Sequence, residues 1–518
     1  EKNVQIMSNF SPIKKLASET AIYGLSTILA RMINFFFVPI YTRVLTQENY
    51  GSYTEIMSYI AVLQVVLILG LETGCFKFAN SIKNSTHEYE GMTPKDPFAT
   101  SFITILGTSA LFWLSLVLFA EPLAGMIGYA GYRQMIIYTG GILALDSVTA
   151  IMFAQLRYRE KALKFAVFKT IKIVSELGFN LLLFFVVPKY LVQHPQSLLT
   201  AFIPAQPDFS YIVFAVFLSC IVCTLLFVPD ILHLKLRFNG KLLKKLLVYS
   251  LPLMIAGLPG IVNESLDRIL FRYFAPEGAI WRAELGIYGA ALKLAVIMNL
   301  FIQMFRYAAE PFFFARGKNR ELLAQVMEYF VAFCMIIFLG IMFYMDVIEL
   351  ILGKDFRGAV GTVPVMLLSY MGLGMLFNVS MWYKLSGQTK YAVTITLAGL
   401  AVTFVINVVF MPYFSYWASV FAHLLSVTCM LVYSVKLGNR YYPIPYRWGI
   451  ICKYIGVGLV LYGVSCLMST FVWSSISARD AAVELIKIIF NTILLIVFLL
   501  YCLRETGLYS VIKARLGR

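Results

Sequence analysis

The sequence predicts an all-α polytopic membrane protein with fourteen transmembrane helices, arranged as two pseudo-symmetric six-helix lobes plus an extra C-terminal helix pair. Three observations carry that prediction. Of 518 residues 60% are hydrophobic, and the mean hydropathy is +0.79, beyond what a water-soluble core needs. Apolar stretches of roughly 20 residues, enough to cross a bilayer as helix, follow one another from Ala17 to Arg504 with only short polar breaks. Basic residues collect on alternate breaks, as they do where loops face the cytoplasm.

The predicted helices run over 17–40, 51–77, 98–120, 132–156, 165–187, 209–231, 247–271, 285–308, 325–345, 361–383, 391–411, 416–435, 449–473 and 481–503. An even number places both termini on one side. That side holds about 28 Lys and Arg, among them Lys14, Arg157, Lys164, Arg237 and Arg320, against about 8 on the other, so the termini are expected in the cytoplasm. The formal charge of +16 then belongs to loops facing anionic lipid, and nucleic acid is not an expected partner. The widest polar gap, 188–208, is too short for a folded catalytic domain. Glu1 to Thr20 is polar and does not read as a secretory signal.

Lobe boundaries follow from the breaks. The basic stretch Lys235–Lys245 separates a first lobe, 1–240, from a second, 241–440, and 441–518 forms the appended pair. A weak internal echo supports two parallel repeats. Arg43 is followed by a turn, Glu48 and then Gly51-Ser52-Tyr53; Arg272 is followed by a turn, Glu284 and then Gly286-Ile287-Tyr288. Of eight cysteines, Cys220 and Cys223 form a CxxC inside a helix without a second pair, which reads as packing rather than as a metal site.

An ionisable side chain in a span costs at least a few kcal/mol, so each one requires a reason. Arg31 sits mid-way along helix one with Asn34 on the same face; it either bonds nearby carbonyls or lines a wet cavity. Helix five carries the stripe Lys169, Lys172, Glu176 and Asn180. Its lysines are near enough to an end to snorkel, whereas Glu176 is too deep and either pairs with a lysine or faces the cavity. Helix seven is interrupted by Pro252 and Pro259, and Asn263, Glu264, Asp267 and Arg268 follow on one side, with Glu264 and Arg268 spaced for a salt bridge. Asp146 of helix four and Lys293 of helix eight are also deep, while Arg43 and Arg272 lie at outer helix ends. Asn378, Asn407 and His423 read as helix–helix bonds, and Lys487 as a snorkelling residue. A cavity lined by Arg31, Arg268 and Lys293 suits an anion, phosphate or pyrophosphate above all. Asp146, Glu176, Glu264 and Asp267 are the candidates for a coupling H+ or Na+.

No GxxxxGK[ST], HExxH or GxSxG in a credible setting occurs, and the four histidines are scattered. Hydrolysis of ATP by a P-loop and catalysis by a nucleophile elbow are not expected, nor is any cofactor.

Residues 17–80, with a helix ending in VPIYTRVLTQENYG and a second ending in LGLETGCFKF, resemble the opening helix pair of the Wzx-type polysaccharide and O-antigen flippases. These belong to the multidrug/oligosaccharidyl-lipid/polysaccharide exporter (MOP) superfamily. YSLPLMIAGLPG at 249–260 and ELGIYGAALKLAVI at 284–297 are similar to the openings of their second lobe. The resemblance implies alternating access around a central cationic cavity. It implies a membrane transporter rather than an enzyme, moving a prenyl-pyrophosphate-linked oligosaccharide from the cytoplasmic to the periplasmic leaflet of a bacterial inner membrane for lipopolysaccharide or other polysaccharide synthesis. Arg43 and Lys293 occupy places similar to basic residues of the related peptidoglycan-precursor flippases, Lys293 standing where those carry Arg. Expected substrate-binding residues are therefore Arg31, Asn34, Arg43, Arg268, Arg272 and Lys293. Anionic membrane lipids and polysaccharide-assembly enzymes are the other expected partners. Two rival readings are a multidrug exporter of the same superfamily and a membrane-embedded glycan polymerase or ligase.

Overall fold

The computed structural model describes residues 35–84, 91–234, 236–316, 319–473 and 481–505. Among the described residues thirteen helices are long and apolar enough to cross a membrane, and the chain is a multi-pass membrane protein. A short helix, α1 (Val38–Val44), precedes them. The spans are α2 (Gln47–Asn84), α3 (Asp96–Leu118), α4 (Arg133–Tyr158), α5 (Ala162–Gln193), α6 (Phe209–His233), α7 (Gly240–Phe274), α8 (Trp281–Tyr307), α9 (Arg320–Phe343), α10 (Lys354–Leu385), α11 (Lys390–Phe414), α12 (Tyr416–Tyr441), α13 (Trp448–Phe471) and α14 (Val483–Glu505). Each coincides with a predicted span from 51 onward. The predicted first helix, 17–40, lies largely outside the described residues, and Arg31 and Asn34 lie outside them too.

The polar breaks supply the helix caps. Thr46 accepts from the Asn49 amide at the start of α2, Asp208 from that of Ser210 at α6, Asn239 from that of Leu242 at α7 and Asn319 from that of Leu322 at α9. Each satisfies an amide that the helix itself leaves without a partner. Two expectations about helix continuity change. Pro252 and Pro259 do not interrupt α7, which runs unbroken for 35 residues with both prolines inside it. The carbonyls four residues before them, at Val248 and Ile255, lose their helical N–H partners; Pro252 is exposed, whereas the Pro259 ring is buried. The interruption comes in α2 instead, at Leu69 and Gly70, both at positive φ, where the Ser250 carbonyl of α7 abuts the turn.

The chain packs as two compact units, Glu1–Gly289 with Phe404–Tyr416, and Ala290–Thr403 with Trp417–Arg518. In the first, α4 is central: 72% of its span is buried, against 22–28% for α2, α3 and α5. Two apolar cores lie along it. One gathers Ile56, Met135, Ile142, Phe209 and Val213; the other gathers Phe78, Phe102, Met152, Phe165 and Phe227.

In the second unit α9 packs against α10, α13 and α14. Asn491 of α14 donates to the Phe343 carbonyl at 2.8 Å, and its Oδ1 accepts from Ser465 of α13, also at 2.8 Å. Glu328 of α9 takes both arms of the Arg447 guanidinium, at 2.5 and 2.8 Å. Polar bonds thus fix α13 and α14 to both ends of α9. Their outward sides carry Val460, Ile489, Ile493 and Ile496, the surface expected of helices facing hydrocarbon. Lys487 pairs with Asp346 rather than snorkelling, and Asn378 donates to Gly374 of its own helix at 3.0 Å rather than across helices.

Candidate functional site

Between the two apolar cores of the first unit lies a polar layer at mid-depth. Gln64 of α2 donates to Ser147 of α4 at 3.0 Å. The next residue back on α4, Asp146, holds the Lys172 ammonium of α5 at 2.5 Å, and the Cys220 thiol of α6 lies 3.3 Å from the same oxygen. Four helices meet there through polar atoms. The ion pair keeps 27% of the Asp146 side chain and 16% of Lys172 accessible. A charged pair open to hydrocarbon is strongly disfavoured, so that accessible side requires water or a polar guest. Lys172 therefore does not snorkel, and the Lys169 ammonium lies over the Phe153 ring at 4.3 Å. Further along α5, Glu176 offers its backbone carbonyl to Asn180, whose Oδ1 accepts from Tyr41 of α1 at 2.7 Å.

The charges of α7 divide instead of sharing one side. Asn263 and Asp267 are buried while Glu264 is exposed, because neighbouring residues on a helix point about 100° apart. Arg268 donates to the Glu264 backbone carbonyl, and its Nε lies 3.5 Å from Asp267, so its acidic neighbour is Asp267. Asp267 accepts from Tyr288 of α8 at 2.6 Å, and the Tyr288 ring stacks on Tyr416. Arg43 donates to the Pro39 carbonyl at 2.8 Å and is exposed. Lys293 lies half-buried on α8 in the second unit.

The starts of α2 and α8 touch backbone to backbone. A Cβ on Gly51 would stand 1.8 Å from the Arg282 carbonyl oxygen, and one on Gly286 2.0 Å from that of Gln47. Only residues without a side chain permit that approach. The contact is reciprocal: each glycine meets the carbonyl four residues before the other.

Beside this crossing is a cluster that the sequence did not reveal. Glu55 of α2 is fully buried, and its carboxylate accepts from Tyr129 at 2.5 Å and from Tyr59 at 3.4 Å. Arg272, at the end of α7, lies 3.9 Å from it and donates to the Ile127 carbonyl. Arg282, at the start of α8, donates to the Gly128 carbonyl at 2.7 Å and covers the Tyr129 ring. Gly128 has φ +70, and a Cβ there would lie 2.4 Å from the Arg272 guanidinium, so both backbone and arginine need glycine. Burial and the Glu55 charge push the Tyr129 phenol up, so it stays protonated and donates. Burial likewise raises Asp208, partly offset by hydrogen bonds from Ser210 and Tyr132. Glu55 falls four residues after Gly51, near a helix start where a carboxylate ordinarily meets water, and Tyr129 and Gly128 lie in a loop with no motif.

The described residues thus form a many-spanned membrane bundle with charged side chains held between its helices. Residues 16–315, more than half of the chain, match the family described as "Polysaccharide biosynthesis protein". The chain belongs to that family. Its fold is similar to that of "Lipid II flippase MurJ, inward closed conformation", with TM-score 0.69 and 12% identity over 96% of this chain and 99% of that one. It is also similar to an inward-facing multidrug resistance MATE family transporter, with TM-score 0.58 and 13% identity over 82% of this chain and 95% of that one. No curated protein matches the chain in sequence.

Proposed function

We propose that this protein is a flippase that carries a prenyl-pyrophosphate-linked oligosaccharide from the cytoplasmic to the periplasmic leaflet of a bacterial inner membrane. The observation that carries the reading is the family match over 16–315 together with the mid-depth polar layer, whose ion pair needs a wet neighbour. The pyrophosphate is bound by Arg31, Asn34, Arg268 and Lys293, and Arg43 and Arg272 guide it; guanidinium forks suit phosphate oxygens. The layout is two six-helix lobes, 1–240 and 241–440, followed by 441–518, with both termini cytoplasmic. The reciprocal contact of Gly51 and Gly286 supports it, since residues echoed in two repeats should meet in this way at an internal two-fold axis.

Transport is coupled to H+ or Na+. Asp146 already pairs with the Lys172 ammonium, so a coupling H+ or Na+ has to compete with that partner there. Glu176, Glu264 and Asp267 remain coupling candidates.

Drug export is the second reading, favoured by the MATE-like fold. The likeness to the MurJ structure extends over 96% of the chain against 82% for the MATE transporter, which favours the lipid-carrying branch. The test is transfer of a prenyl-pyrophosphate-linked oligosaccharide across proteoliposomes containing only this protein, read by an impermeant glycan-modifying enzyme. Transfer above that of protein-free vesicles supports the proposal; transfer of cationic dyes alone overturns it in favour of drug export.

A further inference from the structure

Three separate segments converge on Glu55: its own helix α2, the loop 127–129 and the facing ends of α7 and α8. The facing groups are Tyr59 and Ser52 from α2, Tyr129 from the loop, Arg272 and Tyr273 from α7, and Arg282 from α8. Asp208 bonds Tyr132, on which Arg282 also acts. Two guanidinium groups dock on the carbonyls of adjacent residues, Ile127 and Gly128, and so bring like charges together. A fully buried carboxylate at that point offsets their repulsion and places three segments under one charge.

We propose that this cluster is a proton-released latch. With Glu55 ionised, α7 and α8 are held to α2 and to the loop. When Glu55 takes up a proton its charge is lost, the two arginines repel each other, and this end opens to water. The inference rests on the orientation given above, which places the latch on the periplasmic side, where an inward proton gradient presents its protons. It deepens that reading by assigning the coupling proton to a residue outside the mid-depth layer.

Ser52, 3% exposed beneath Tyr129, is the reporter position. A Ser52→Cys variant is labelled with a membrane-impermeant maleimide in right-side-out and inverted vesicles across pH 8 to 5.5, with labelling rates corrected for thiolate content. The latch predicts at least a tenfold faster corrected rate at the acid end. Adding Glu55→Gln should make labelling fast at every pH. Adding Tyr129→Phe, which removes a donor to the ionised carboxylate, should move the midpoint up by about one pH unit. Acid-accelerated labelling found only in inverted vesicles keeps the latch and overturns the orientation instead. Labelling independent of pH, or the same pH profile with and without Glu55→Gln, overturns the latch.

Discussion

The closest backbone approach in the first unit makes the sharpest stability prediction. In Gly51→Ala the new Cβ would sit 1.8 Å from the Arg282 carbonyl oxygen, where ordinary contact begins at 3.4 Å. The obstacle is backbone, which has no rotamer to yield, so α2 and α8 must separate by about 1.5 Å. Overpacking of this kind costs about 1–3 kcal/mol and outweighs the roughly 1 kcal/mol that alanine gains over glycine within a helix. Gly107→Ala in α3 is the control, since a Cβ there meets nothing within 4 Å, and it should be neutral or slightly stabilising. The assay is thermal unfolding in detergent at one scan rate, followed by a thiol-reactive dye that reports the buried Cys75, Cys334 and Cys502. Gly51→Ala should unfold roughly 2–6 °C below Gly107→Ala. Gly286→Ala should add little to Gly51→Ala, because one displacement relieves both contacts. Equal unfolding temperatures for Gly51→Ala and Gly107→Ala would refute the reasoning.

Asp146→Ala leaves Lys172 without its carboxylate and should cost about 2–4 kcal/mol, toward the lower end because the pair is partly accessible; Lys172→Met added to it should recover much of the loss in the same assay. Burial raises the Asp208 pKa above that of the unfolded chain, so its ionised form is disfavoured by folding. Its contribution to stability therefore falls as pH rises through the raised pKa and is regained as pH falls, and Asp208→Asn should flatten that part of the stability–pH curve. Lys293→Ala and Arg31→Ala, at normal expression, should each lower glycan export in a complementation assay, while Lys293→Arg should retain most of it; unchanged export removes the residue from the binding set.

The spans were legible because length and apolarity are set by the bilayer and need no partner. Partnerships were not. Asp146 and Lys172 were both singled out, yet they lie 26 residues apart on different helices, and only packing of α4 on α5 makes them a pair. Arg268 looked matched to Glu264 by spacing alone, whereas burial of Asp267 draws it to the adjacent residue. The echo of Gly51 and Gly286 was visible as a repeat, but nothing in it said that the two glycines touch. Glu55 was hidden by its place near a helix end, where a carboxylate ordinarily meets water. In the fold the loop carrying Gly128 and Tyr129 closes over it together with the ends of α7 and α8.

The most direct test of the central claim is the leaflet in which lipid-linked oligosaccharide resides when this protein is absent, scored with a membrane-impermeant glycan probe on intact spheroplasts. A flippase predicts intermediates trapped in the cytoplasmic leaflet and released to the probe when the gene is restored. Intermediates equally accessible from outside without the protein would contradict the account and assign translocation to another component.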